Sequence, residues 1–188
     1  MANLISKLFK SDKVKTIPNY QNWRNGIFTA TPEIVGVSKD IPDYVYAVIM
    51  DVGLAYDDGR RPVKKNLVIS VTALASGEST LMPTWAGGLI GLGSFEEIST
   101  LAKQIIDEVQ PLFSTSKPAS DHNYLPVSGL VCFYFLTTSG LRIYECKLQD
   151  LYSDKHPFAQ IFALFDKIKN LADELNEKYK NVKPENSA

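Results

Sequence analysis

Two stretches of this chain are apolar on both sides of a period-two alternation. Residues 44–52 set Tyr46, Val48 and Met50 on one face and Val45, Ala47 and Ile49 on the other. Residues 127–137 set Val131, Phe133 and Phe135 against Leu130, Cys132, Tyr134 and Leu136. A strand apolar on both faces needs cover above and below, so each is expected inside a sheet and not at its edge. Further strands are expected at 67–75 and 79–84, joined by a Ser76-Gly77-Glu78 turn. Another is expected at 141–148, joined to 127–137 through Thr138-Ser139-Gly140.

The period changes after Ser94. Phe95, Ile98, Leu101, Ala102, Ile105, Ile106 and Val109 fall at three- and four-residue spacing, and Pro111, which has no N–H to give, closes that helix. A longer stripe opens at Pro157 with Phe158, Ile161, Phe162, Phe165, Ile168, Leu171, Ala172, Leu175 and Tyr179. Over 16–43, the residues Pro18, Pro32, Pro42, Gly26 and Gly36 predict irregular chain. A short edge strand is expected at 27–30, with Trp23 and Phe28 covering one side of the core. Residues 53–66 and 114–126 read as loops, and the Arg60-Arg61 and Lys64-Lys65 patch, balanced by Asp57 and Asp58, as solvated surface.

The resulting order predicts an α+β domain, a single mainly antiparallel sheet of about five strands with amphipathic helices packed on it. Helices on both faces, or a helix on one face and a partner subunit on the other, would each cover the doubly apolar strands. The expected division is an N-terminal arm over 1–43 (a short basic amphipathic segment plus an irregular region), one domain over 44–180 and a disordered tail over 181–188. The layout resembles that of the roadblock and longin adaptor folds: one antiparallel sheet, one helix in the crossover and a terminal helix on the sheet. That resemblance spans roughly residues 44–180, is carried by element order and not by a motif, and implies only an adaptor-like layout.

Composition narrows the partners. A chain of 188 residues, 45% hydrophobic and 22% charged, suits one globular domain. A net charge of −1 supplies no general attraction to nucleic acid or anionic membrane. The only arginines are Arg24, Arg60, Arg61 and Arg142, and no stretch interleaves aromatics with cations, so no nucleic-acid partner is expected. No apolar run has the length of a membrane span, and residues 1–15 carry neither a signal-peptide h-region nor a cleavage site. The expected compartment is the cytoplasm. Leu4, Ile5, Leu8 and Phe9 among Lys7, Lys10, Lys13 and Lys15 could lie on a membrane or in a partner's groove; a frayed terminal turn is the expected reading.

Cys132 and Cys146 stand on the two arms of one hairpin. With a two-residue Ser139-Gly140 loop, Cys132 would face Lys147 and Cys146 would face Phe133, placing the thiols on opposite sides of the sheet. A three-residue loop would bring them into register. Free thiols in a reducing compartment are expected.

Candidate chemistry concentrates in Gly87, Gly88, Gly91, Gly93 and Ser94. Glycines feeding a helix N-terminus leave backbone N–H groups free to hold an anion, and Ser94 with Glu97 reads as a capping box. The spacing misses the dinucleotide fingerprint, because Glu96 stands where a third glycine or alanine belongs, and Glu96 and Glu97 would repel a phosphate. A tight structural corner is therefore expected, with a ligand site at these five residues as the alternative. Asp150, Asp154 and His156 read as helix caps before they read as a metal or acid–base site. Zinc spacing, a Cys–His pair, a nucleophile elbow and a Gly-Lys-Ser/Thr phosphate loop are all missing from the sequence, so no catalytic residue, metal or cofactor is assigned. The expected function is that of a non-enzymatic protein–protein interaction or adaptor domain, with self-association through an uncovered sheet face or the last helix as one route. The alternative is a small-ligand or anion-binding domain, with hydrolysis as an option, centred on the Gly-rich turn.

Overall fold

Strand pairing puts the two doubly apolar segments side by side at the centre of the molecule. The computed structural model describes residues 15–17, 19–55 and 67–180. Its strands are β1 (Lys15–Ile17), β2 (Val45–Leu54), β3 (Leu67–Leu74), β4 (Ser79–Pro83), β5 (Gly88–Ile90), β6 (Lys117–Pro118), β7 (Leu130–Thr137) and β8 (Gly140–Lys147). They form one antiparallel sheet in the order β1-β5-β4-β3-β2-β7-β8-β6, in which β6 is a two-residue strip at one edge. In the register of β2 on β7, Val48 lies opposite Phe135 and Met50 opposite Phe133. Both strands are interior, as their patterning requires. The basic amphipathic segment, the Arg60-Arg61 and Lys64-Lys65 patch and the 181–188 tail lie outside the described residues.

Three helices pack on this sheet: α1 (Tyr20–Phe28), α2 (Glu96–Val109) and α3 (Ala159–Lys180). The long helices α2 and α3 lie on one face, where Val48, Met50, Val71, Ala73, Val131, Phe133 and Phe135 meet Ile98, Ile105, Phe158, Phe165 and Ile168. Phe158 is the aromatic anchor, stacked 4.2 Å from Tyr144 and 5.2 Å from Phe133 between ring centroids. The opposite face is covered by Trp23 and Ile27 of α1 and by Val35 of a short 3-10 turn, packed on Ile49, Leu74, Cys132, Tyr134 and Leu136. Both faces of the central strands are thus covered by helices of the same chain.

Three expectations need correction. The irregular region over 16–43, with its edge strand at 27–30, holds helix α1 instead. Asn19 accepts the N–H of Asn22 at 3.1 Å as the N-cap, and Trp23 and Ile27, four apart, turn to the sheet. Burial of that face outweighs the glycine within the helix and the prolines around it. The sheet exceeds about five strands because β1 and β5, three residues each, extend one edge; elements that short carry no readable period. In the hairpin the loop is Thr138-Ser139, so Cys132 faces Glu145 and Cys146 faces Val131. The register moves by two residues, which preserves the face of every side chain. The thiols therefore stay on opposite sides of the sheet and both are free.

Among the described residues no helix is long and apolar enough to cross a membrane. The face assignment has a direct test. Phe133→Asp would put an unpaired carboxylate beneath Phe158 and should lower unfolding free energy by about 4 kcal/mol or more in a urea titration. A midpoint near that of the native chain would contradict the packing.

Candidate functional site

The Gly-rich segment folds as a corner in which backbone meets backbone. Gly88 lies over β4, where a Cβ would stand 2.4 Å from the Leu81 carbonyl oxygen and 2.5 Å from the Met82 sulfur. Gly91 takes φ +79°, and Gly93 backs onto the Gly77-Glu78 turn, where a Cβ would stand 2.7 Å from both the Gly77 oxygen and the Glu78 Cα. Gly87 is exposed just before β5. The corner does hold an anion, and it is the chain's own. Glu78 Oε1 accepts the N–H of Ser79 at 3.0 Å and of Gly93 at 3.3 Å. Burial pushes the Glu78 carboxyl above its ordinary range, while the backbone N–H groups of Gly93, Ser79 and Gly91 favour its charged form.

The Ser94–Glu97 capping box is not formed. A 3-10 turn over Leu92–Ser94 precedes α2, so Ser94 sits inside that turn and its Oγ donates to the Gly91 carbonyl at 2.8 Å. Phe95 takes the N-cap position without a side-chain bond.

At the start of α3, His156 does serve the helix end. Its Nδ1 accepts the N–H of Phe158 at 3.2 Å, and Nε2 stands 3.4 Å from the Tyr144 hydroxyl. Among the described residues no group of three or more His, Cys, Asp or Glu side chains is arranged to hold a metal. Beside His156 runs an open groove of about 670 Å³, lined by Leu151, Phe162 and Ala163 and by the polar groups of Asp154, Lys155, His156 and Asp166. Tyr152 stands on its rim, 72% exposed and edge-on to Phe162 at 5.7 Å.

The strongest electrostatic feature was missed by the reading of the sequence. Asp51, in the middle of β2, and Arg24, on α1, are 0% and 1% exposed, with Nη1 2.8 Å from Oδ2. Ser70 donates to the other carboxylate oxygen at 2.5 Å, and the Tyr20 hydroxyl lies 2.9 Å from Ser70 Oγ. Arg24 Nε donates to the His122 carbonyl at 2.6 Å, Nη1 to the Tyr20 hydroxyl at 3.0 Å and Nη2 to the Tyr124 carbonyl at 3.2 Å. Its guanidinium carbon also lies 4.8 Å from the Phe28 ring centre and 5.2 Å from that of Tyr134. Burial pushes the Asp51 carboxyl up against the pull of Arg24. Burial also pushes the Tyr20 hydroxyl up to about 12, with the Asp51 charge adding to it. Outward along the same face, Tyr134 donates to the Tyr124 carbonyl at 2.8 Å, and Tyr124 donates to Glu145 at 2.5 Å. Cys132 meets the same carboxylate at 3.4 Å, and burial followed by that charge pushes its thiol far up, so it is a poor nucleophile. The network ties α1, β2, β3, β7 and the loop before β7 together, and at its centre Asp51 Oδ2 meets Arg24 as an ion pair with no hydrogen bond of its own.

No family model, curated protein or solved structure matches this chain.

Two tests separate these roles. Arg24→Met and Asp51→Leu should each cost about 3–5 kcal/mol, because each strands a buried charge, while the double variant should fall short of their sum by about 2 kcal/mol. Additive losses would mean that the two groups do not act as a pair. At the corner, Gly93→Ala should cost about 1–3 kcal/mol through the backbone clash. Gly87→Ala should stay within about 0.5 kcal/mol. Equal effects at the two glycines would overturn the account of the corner.

Proposed function

We propose that this chain is a non-enzymatic protein–protein interaction domain that meets its partner through the groove at the start of α3. The observation that carries this reading is the groove itself. It brings the apolar side chains of Leu151, Phe162 and Ala163 together with the exposed ring of Tyr152 and the carboxylates of Asp154 and Asp166. Exposed aromatics beside an apolar pocket are the usual anchors of protein contacts. Two carboxylates against the single Lys155, with Asp150 close by in the chain, suit a partner segment that presents an apolar anchor flanked by Lys or Arg.

Self-association through a bare sheet face loses its motive, since α1 covers that face. The alternative, a ligand site at Gly87, Gly88, Gly91, Gly93 and Ser94, has less support, because Glu78 occupies N–H groups that an external anion would need. The roadblock and longin layout would also place the chain among proteins that work by contact, but the groove supports the reading better than that analogy does. Two free thiols suit the reducing cytoplasm as its working compartment.

The test uses an amphipathic peptide of leucine and lysine titrated into the full chain, with amide shifts mapped by NMR. Shifts should cluster on residues 151–166, and Tyr152→Ala should weaken binding about tenfold while leaving the melting temperature unchanged. Shifts spread over the surface, or unaltered affinity in Tyr152→Ala, would remove the groove as the contact. Light scattering at micromolar concentration should show a monomer; a dimer dispersed by Tyr152→Ala would identify a second copy as the partner.

A further inference from the structure

We infer that His156 is an acid-sensitive latch that holds the first turn of α3 closed only while its ring is neutral. The inference stands on hydrogen-bond direction. A backbone N–H can only donate, so the 3.2 Å contact from Phe158 N makes His156 Nδ1 an acceptor and leaves the ring proton on Nε2, facing the Tyr144 hydroxyl. An imidazolium donates from both nitrogens. Protonating Nδ1 therefore sets two donors against each other and leaves the Phe158 N–H without its acceptor. It also places a positive charge at the N-terminal end of a 22-residue helix, where the free N–H groups already make the potential positive.

The residue affected is the one that anchors the helix. Phe158 is fully buried, stacked on Tyr144 and Phe133, and the Phe162 N–H donates back to its carbonyl at 2.9 Å. Tyr144 from β8 meets the ring directly, and the charged groups that share the groove with it are Asp154 and Lys155 from its own loop and Asp166 from α3. Asp150 and Cys146 act on Tyr144 from the strand side. The acceptor recorded for the Phe158 N–H is His156 Nδ1. Imidazole is the side chain that ordinarily gains a proton on mild acidification, so pH is the variable that tests the contact. Acidification loosens the turn that forms one wall of the groove, whatever the groove binds.

Amide hydrogen exchange on the full chain tests this. After correction for intrinsic rates, amides 158–162 should exchange about fivefold faster at pH 5.5 than at pH 7.5, the loss expected for one helix cap, while amides of β2 stay unchanged. His156→Asn keeps a side-chain acceptor for the same N–H and cannot titrate, so it should abolish the pH response. His156→Ala should exchange fast at both pH values. The chain has one other histidine, His122, stacked 5.1 Å from Phe28 on the far face of the sheet, and His122→Gln should leave the response intact. In the unmutated chain, the Phe158 amide shift should follow the midpoint of the His156 ring and not that of His122. A native chain without a pH response, a response that survives His156→Asn, or a Phe158 amide that follows His122 would each overturn the latch.

Discussion

An ion pair with both partners out of water decides how this molecule closes. Asp51 sits where β2 is buried on both sides, and a lone carboxylate there would be too costly to keep ionised. Arg24 answers it from a different element, and the same guanidinium holds the carbonyls of His122 and Tyr124. One cation therefore pins α1 and the loop before β7 to the same face of the sheet. An apolar pair of equal volume could bury as much surface, but it would not dictate where α1 lands along the strand. The faces of Phe28 and Tyr134 near the guanidinium complete the cover, so that few of its interactions are left for water to supply.

How much of this was legible in the sequence follows from how local each signal is. The interior placement of β2 and β7, the face of each of their side chains and the stripes of α2 and α3 are written in periods of two and 3.6. The hairpin shows the strength of that signal: its loop lies one residue earlier than expected, with Gly140 already paired to Thr137, yet the faces survive because the register moved by an even number. Helix α1 was hidden because Gly26 and the flanking prolines argue locally against it, while its support comes from a sheet assembled from much later residues. A clue existed. Asp51 is a single carboxylate inside an otherwise apolar strand, and such a charge requires a cation from elsewhere; Arg24, set among Tyr20, Trp23 and Phe28, is the arginine with aromatic neighbours.

The Gly-rich corner shows why local motifs carry ambiguous chemistry. Glycines that let a backbone approach a ligand also let it approach another backbone, and Gly88 and Gly93 are used in the second way. What separates the two uses is the Glu78 carboxylate, delivered from the turn between β3 and β4. That contact joins segments fifteen residues apart from Glu78 to Gly93 and leaves no trace in the spacing of the motif. The tight corner expected from the glycines is the arrangement found, with the Glu78 carboxyl on the N–H groups of Ser79 and Gly93.

Where a partner can reach this chain follows from what the fold has already used. The two sheet faces are taken by α1 on one side and by α2 and α3 on the other. At the sheet edges stand β1 and β6, strands of three and two residues, and β6 pairs with only Ile143 and Arg142 of β8. The proposed contact lies at the last helix. Its stripe is spent on the core, and Phe158 is buried to anchor its first turn, but the chain that leads into it leaves Tyr152 outside and the flank of Phe162 open. The Tyr152 ring rests edge-on against Phe162 at 5.7 Å, a contact that reduces the rotamer freedom a partner would have to freeze on docking there. Among the large apolar side chains that the described residues leave exposed, Tyr152 is the one beside the histidine that caps α3, and the proposed contact uses it.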